Sequence, residues 1–83
     1  MANDGRVNKP VVQKKQSETA FVVESLTNKY NSQRQIQIND TYAKEGDLFY
    51  GRRGVNIDVI DIPAVMAEVK KLYELETGKK LEI

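Results

Sequence analysis

The stretch EGDLFYGRRGVNID, residues 45–58, decides how the rest of the chain is read. Phe49 and Tyr50 run into Arg52 and Arg53, which stand between Gly51 and Gly54, and an alternating run from Val55 to Val59 follows at once. Aromatic faces stack on bases, guanidinium groups hold phosphates, and glycine lets backbone approach a ligand closely. The same residues also describe a solvated hairpin, with glycine making the turn and arginine keeping it soluble. Taken alone, the segment favours the plainer reading.

Working upstream, Lys44-Glu45-Gly46-Asp47 reads as a hairpin turn in which Gly46 is free to take positive φ. Residues 34–38 alternate strictly, with Ile36 and Ile38 placed inward and Gln35 and Gln37 outward. Asn39-Asp40 interrupts that strand, and Thr41-Tyr42 resumes an extended path. Residues 28–32 form a polar turn cluster, and residues 20–26, rich in aromatic and β-branched side chains, suit another strand. Downstream, Val55, Ile57 and Val59 form the inward face of the last strand. Asp61 can cap a helix whose first turn accepts Pro63. Ile62, Val65, Met66, Val69, Leu72 and Tyr73 then recur at helical spacing, and Gly78 with Lys79 and Lys80 supplies a stop. The plan is α+β: an antiparallel curved sheet of about four strands, followed by one C-terminal amphipathic helix that covers one face of the sheet.

The chain has 83 residues, no cysteine and a formal charge of +1. Residues 1–19 are expected to be a disordered basic arm, because Val7, Val11 and Val12 are their only branched apolar residues. Residues 20–83 form the domain. Its folded part, roughly 60 residues, is marginal for a lone core, so a second copy of the chain is expected to supply the missing burial. No apolar run reaches the length of a membrane span, and a cysteine-free chain fits a reducing compartment. A cytoplasmic or nucleoid-associated, intracellular protein is expected.

Catalysis finds little support. With no His and no Cys, the commonest general base, nucleophile and transition-metal ligands are missing. Ser17, Ser25 and Ser32 have no histidine to activate them, and the acidic residues do not fall at calcium-loop spacing. We expect neither an enzyme nor a cofactor. The G-x-x-G spacing of Gly51 and Gly54 leads into a strand, whereas the RNA-clamping loop of that spacing joins two helices. Tyr30, Tyr42, Phe49 and Tyr50 lie in turns or at strand ends, each close in sequence to a cation: Lys29 and Arg34, Lys44, or Arg52 and Arg53. A tyrosine at a strand end is more often a half-buried edge residue than a stacking platform. Aromatics interleaved with cations on one sheet are nonetheless what a single-strand binder needs.

From Phe21 to Lys70 the chain resembles the transcriptional positive cofactor 4 family of single-stranded-DNA-binding coactivators. The residues that carry the resemblance are Glu45-Gly46-Asp47-Leu48, then Gly51-Arg52-Arg53-Gly54-Val55-Asn56-Ile57, then Pro63 opening an amphipathic helix. Tyr30, the Ile36-Gln37-Ile38 strand and Tyr42 match upstream elements of the same pattern. The resemblance implies a homodimer whose helices pack across a two-fold axis and whose sheets form a groove for unwound DNA. It assigns base stacking to Tyr30 and Tyr42 and phosphate contacts to Arg52 and Arg53, with Lys70 at the position of a helix lysine. Arg34 and Lys29 join the groove on spacing alone. The chain departs from the family in having tyrosine at position 42, where tryptophan is usual, and about four extra residues between the final strand and the helix. The expected function is sequence-tolerant binding of single-stranded DNA or RNA in a coactivator-like or DNA-metabolism role. The alternative is a small protein-interaction module on the same fold.

Overall fold

The computed structural model describes residues 6–82. Four strands, β1 (Val11–Gln13), β2 (Ala20–Thr27), β3 (Arg34–Lys44) and β4 (Asp47–Asp58), lead through a 3-10 turn (Val59–Asp61) into one helix, α1 (Ile62–Thr77). The strands form an antiparallel sheet in sequence order. The β3–β4 hairpin closes on a two-residue turn in which Glu45 and Gly46 take φ of 52° and 85°. Positive φ at both central residues matches the strand twist of a tight hairpin. That turn pairs Lys44 with Asp47 and Tyr42 with Phe49.

Residues 51–53 form no turn. β4 is continuous, and the register with β3 slips at this point: Asn39 faces Gly54 and Thr41 faces Tyr50, so Gly51, Arg52 and Arg53 stand opposite Asp40 alone. The segment is a bulge, which re-aims side chains and bends the sheet. Its glycines answer to crowding. A Cβ on Gly51 would lie 3.1 Å from the Asp40 carbonyl oxygen, and one on Gly54 would run into the Asn39 side-chain amide. Asn39 uses that space to donate from Nδ2 to the Gly51 carbonyl at 3.2 Å.

The sheet curls, and its N-terminal segment shows why. Arg6 bridges Phe49, and the Val7 amide donates to the Leu48 carbonyl at 2.8 Å, both on the outer edge of β4. Five residues later, Val11 pairs with Val22 on the outer edge of β2. Five chain steps reach at most about 18 Å, whereas four strand spacings come to about 19 Å on a flat sheet. The two edges must therefore be drawn towards each other. Of the arm expected over residues 1–19, residues 1–5 lie outside the described residues, β1 supplies an edge strand and residues 6–7 lie along the opposite edge.

Strand pairing sorts the side chains into two faces. Ala20, Val22, Gln35 and Thr41, the buried ones among the described residues, share the inner face with Glu24, Gln37, Asn39, Tyr50 and Asn56. Phe21, Val23, Ile36, Ile38, Val55 and Ile57 lie on the outer face. This reverses the expected orientation. Gln35 is buried, and its Nε2 donates to Asp58 Oδ1 at 2.8 Å, while Val55 is 49 % exposed. Curling closes the inner side on itself. Ala20 and Val22 are buried there, Gln35, Asn39 and Thr41 find hydrogen-bond partners, and Glu24 Oε2 is buried without one among the described residues. The apolar set of the other face is left outward.

The helix does not cover that face. α1 starts with Pro63 in its first turn and ends at Gly78, whose φ of 69° lets its amide bond the Glu74 carbonyl at 2.8 Å. Asp61 stands at the N-cap position, but its side chain makes no capping bond. The helix meets the rest of the chain through the 3-10 turn, and none of its residues is buried. Val69 and Leu72 are 46 % and 57 % exposed. The described residues accordingly spread over 44 × 37 × 18 Å, with a radius of gyration of 15.0 Å, against about 12 Å for a compact chain of this length.

Candidate nucleic-acid interface

The expected binding residues fall into separate groups. Lys29 and Tyr30 occupy the β2–β3 turn, which is stiff: Asn28 bonds Gln33 and Ser32 through its backbone, and its Oδ1 accepts from the Tyr30 amide at 2.8 Å. Asn31 Oδ1 accepts from the Gln33 amide at 3.0 Å, closing the second half of the turn. The Tyr30 ring is 98 % exposed on this fixed backbone. Beside it, Leu26, Lys29, Tyr30, Gln35 and Asn56 line a cavity of about 270 Å³ on the inner side of the sheet. Gln35 and Asn56 were not anticipated in this role. Inward-facing amides are visible as such only once the direction of curl is known.

Tyr42 lies near the other end of β3, eight residues from Arg34 or roughly 26 Å along the strand. Its ring stacks on Phe49, with centroids 5.6 Å apart and planes inclined by 23°. The partnership was legible in the sequence, since a two-residue turn at Glu45-Gly46 fixes Tyr42 opposite Phe49. Arg34 shares the outer face with Tyr42. Its guanidinium donates to Thr27 Oγ1 at 2.7 Å and Ser25 Oγ at 3.0 Å. Both partners are neutral hydroxyls, so neither offsets the charge of the guanidinium.

The two arginines of the bulge part company. Both are exposed, in the bulge where the register is broken, and only Arg53 acts on Asp40 of the outer face. Arg53 contributes to the field that lowers the pKa of Asp40, whose first cause is the bond from Lys14 Nζ at 2.9 Å. Lys70 lies on α1, apart from the sheet. A single chain therefore does not unite Tyr30, Tyr42, Arg34, Arg52 and Lys70 in one groove. Two patches emerge instead: a turn-end site with Lys29 and Tyr30, and an outer aromatic patch with Tyr42 and Phe49 near Arg53.

Among the described residues no group of three or more His, Cys, Asp or Glu gathers to hold a metal ion, and no helix is long and apolar enough to cross a membrane. Comparison with protein-family models, curated proteins and solved structures finds no match.

Proposed function

We propose that this chain binds single-stranded nucleic acid without strong sequence preference and works as a homodimer. The observation that carries the reading is Tyr30, an aromatic ring almost wholly in solvent on a turn braced by four hydrogen bonds, with Lys29 beside it. Such a ring buries nothing within its own chain. A braced platform loses little freedom when a base stacks on it, and stacking tolerates every base. Tyr42 offers a second platform, 51 % exposed, and Arg34, Arg52 and Arg53 provide cations along the sheet. The resemblance to the transcriptional positive cofactor 4 family points the same way and suggests a coactivator-like or DNA-metabolism role.

Dimerisation is supported by two apolar surfaces that the chain does not cover: the outer sheet face with Val23 and Val55, and the α1 stripe of Met66, Val69, Leu72 and Tyr73. A second copy would bury the helix stripe and the Val23–Val55 part of the sheet face, leaving the Tyr42–Phe49 end open to a strand. These same surfaces favour a second reading, in which a different protein docks there and the fold is an interaction module.

Titration of a labelled oligo-dT strand separates the two. The nucleic-acid reading expects binding that weakens steeply with salt, that drops at least fivefold or so in Tyr30→Ala through lost stacking, and that weakens further in Arg52→Ala/Arg53→Ala. Absence of binding at low salt, or affinity indifferent to these substitutions, would leave the interaction module as the better account.

A further inference from the structure

The outer face carries a third ring close to the Tyr42–Phe49 pair. Phe21 lies on β2 beside Val22, whose partner on β3 is Asn39, so Phe21 neighbours Asp40 on the outer face. Tyr42 follows two residues later on that face. Lys14, which leaves β1, ties this neighbourhood together: its Nζ stands 4.7 Å from the Phe21 ring centroid and 2.9 Å from Asp40 Oδ1. The contact is well fastened. Gln13 Nε2 donates to the carbonyls of Ser17 and Thr19 at 3.0 and 2.9 Å, which holds the loop after β1 against the sheet. The Lys14 side chain is only 24 % exposed. Phe21 is nevertheless 40 % exposed and Tyr42 51 % exposed.

We propose that Phe21, Tyr42 and Phe49 form one base-stacking patch, and that Lys14 and Asp40 latch it. In the free protein Asp40 holds the Lys14 ammonium over Phe21. When a single strand arrives, a phosphate oxygen replaces the Asp40 carboxylate as the partner of Lys14. The ammonium moves off the ring towards the backbone, and a base takes its place on Phe21. Charge permits the exchange: the bond to phosphate is charge-assisted like the bond to carboxylate that it replaces, and Arg53 already acts on Asp40 and remains to offset its charge when Lys14 leaves. Asp40 thus competes with nucleic acid for one lysine. The patch takes an unstacked nucleobase with its flanking phosphate.

The inference rests on the proposed single-strand function, and its test tells the two apart. Affinity for oligo-dT and for an abasic strand of equal length is measured for wild type, Phe21→Leu, Phe49→Leu, Asp40→Asn and Tyr30→Ala. Leucine keeps the apolar volume and removes the π face, so the fold survives. Phe21→Leu and Phe49→Leu are expected to weaken oligo-dT binding at least about fivefold and to leave abasic binding unchanged. Asp40→Asn is expected to strengthen both. If wild type and Tyr30→Ala differ but the two leucine variants match wild type, the patch is overturned and the single-strand function stands. If wild type binds neither strand, both fall. If the leucine variants alter the oligomeric state and not the affinity, the patch belongs to a second copy of the chain and the proposal is overturned.

Discussion

Replacing Thr41 by valine removes one hydroxyl and almost no volume, yet the structure assigns it a large effect. Thr41 is 6 % exposed, and its Oγ1 donates to the Ala20 carbonyl at 2.7 Å while accepting from the Ala20 amide at 3.0 Å. Ala20 is wholly buried. The hydroxyl thus serves both backbone groups of a buried residue next to the bulge, where the regular ladder is broken. Each buried group left without a partner costs about 1–3 kcal/mol, so Thr41→Val is expected to lose about 2–6 kcal/mol, less about 0.8 kcal/mol for the methyl gained. Domains of this kind hold only about 5–15 kcal/mol in total. Thr41→Ser keeps the hydroxyl and drops one methyl, at about 1 kcal/mol. Urea unfolding followed by circular dichroism gives the comparison: the valine midpoint should fall well below the serine midpoint. A valine variant as stable as the serine variant would show that the hydroxyl does not carry the Ala20 pairing.

Gly54→Ala should cost about 1 kcal/mol in the same assay, since the new methyl displaces the Asn39 amide from the Gly51 carbonyl. Leu72→Glu places a charge in the middle of the exposed α1 stripe and should shift sedimentation from dimer to monomer without changing the far-ultraviolet spectrum. Acid should weaken the fold through Asp40: the bonds from Lys14 and the Thr41 amide hold its carboxyl below the ordinary 3.8. A depressed carboxyl contributes its full share above the unfolded value and loses it as pH falls through the folded one. Urea midpoints should therefore drop below about pH 4, and Asp40→Asn should flatten that part of the profile.

The element order was legible because each boundary carries its own chemistry. Glu45-Gly46 closes a tight hairpin, Pro63 opens the helix and Gly78 ends it, and none of these needs tertiary information. What the sequence concealed was direction. Alternation places Gln35 and Ile36 on opposite faces but is silent on which way a sheet bends, and an apolar set faces inward only where the sheet closes on that side. In this chain the closed side mixes Ala20 and Val22 with polar groups, of which Thr41, Gln35 and Asn39 find partners. The role of Gly51-Arg52-Arg53-Gly54 was hidden for a similar reason. A bulge is defined by the partner strand, here Asp40, and the partner register is invisible in the segment itself. Lys14 escaped notice because a lysine in a polar segment reads as solvated until a ring and a carboxylate are found beneath it. Tyr30 and Lys29 were placed well because a polar turn cluster fixes its own location.

Native mass spectrometry of the chain mixed with an oligo-dT strand at low ionic strength tests the account most directly, since it reads self-association and strand binding in one spectrum. Ions at twice the 9.4 kDa chain mass are expected, together with heavier ions that add one or two strands to that pair. A spectrum dominated by single chains with no strand attached would contradict both halves of the account.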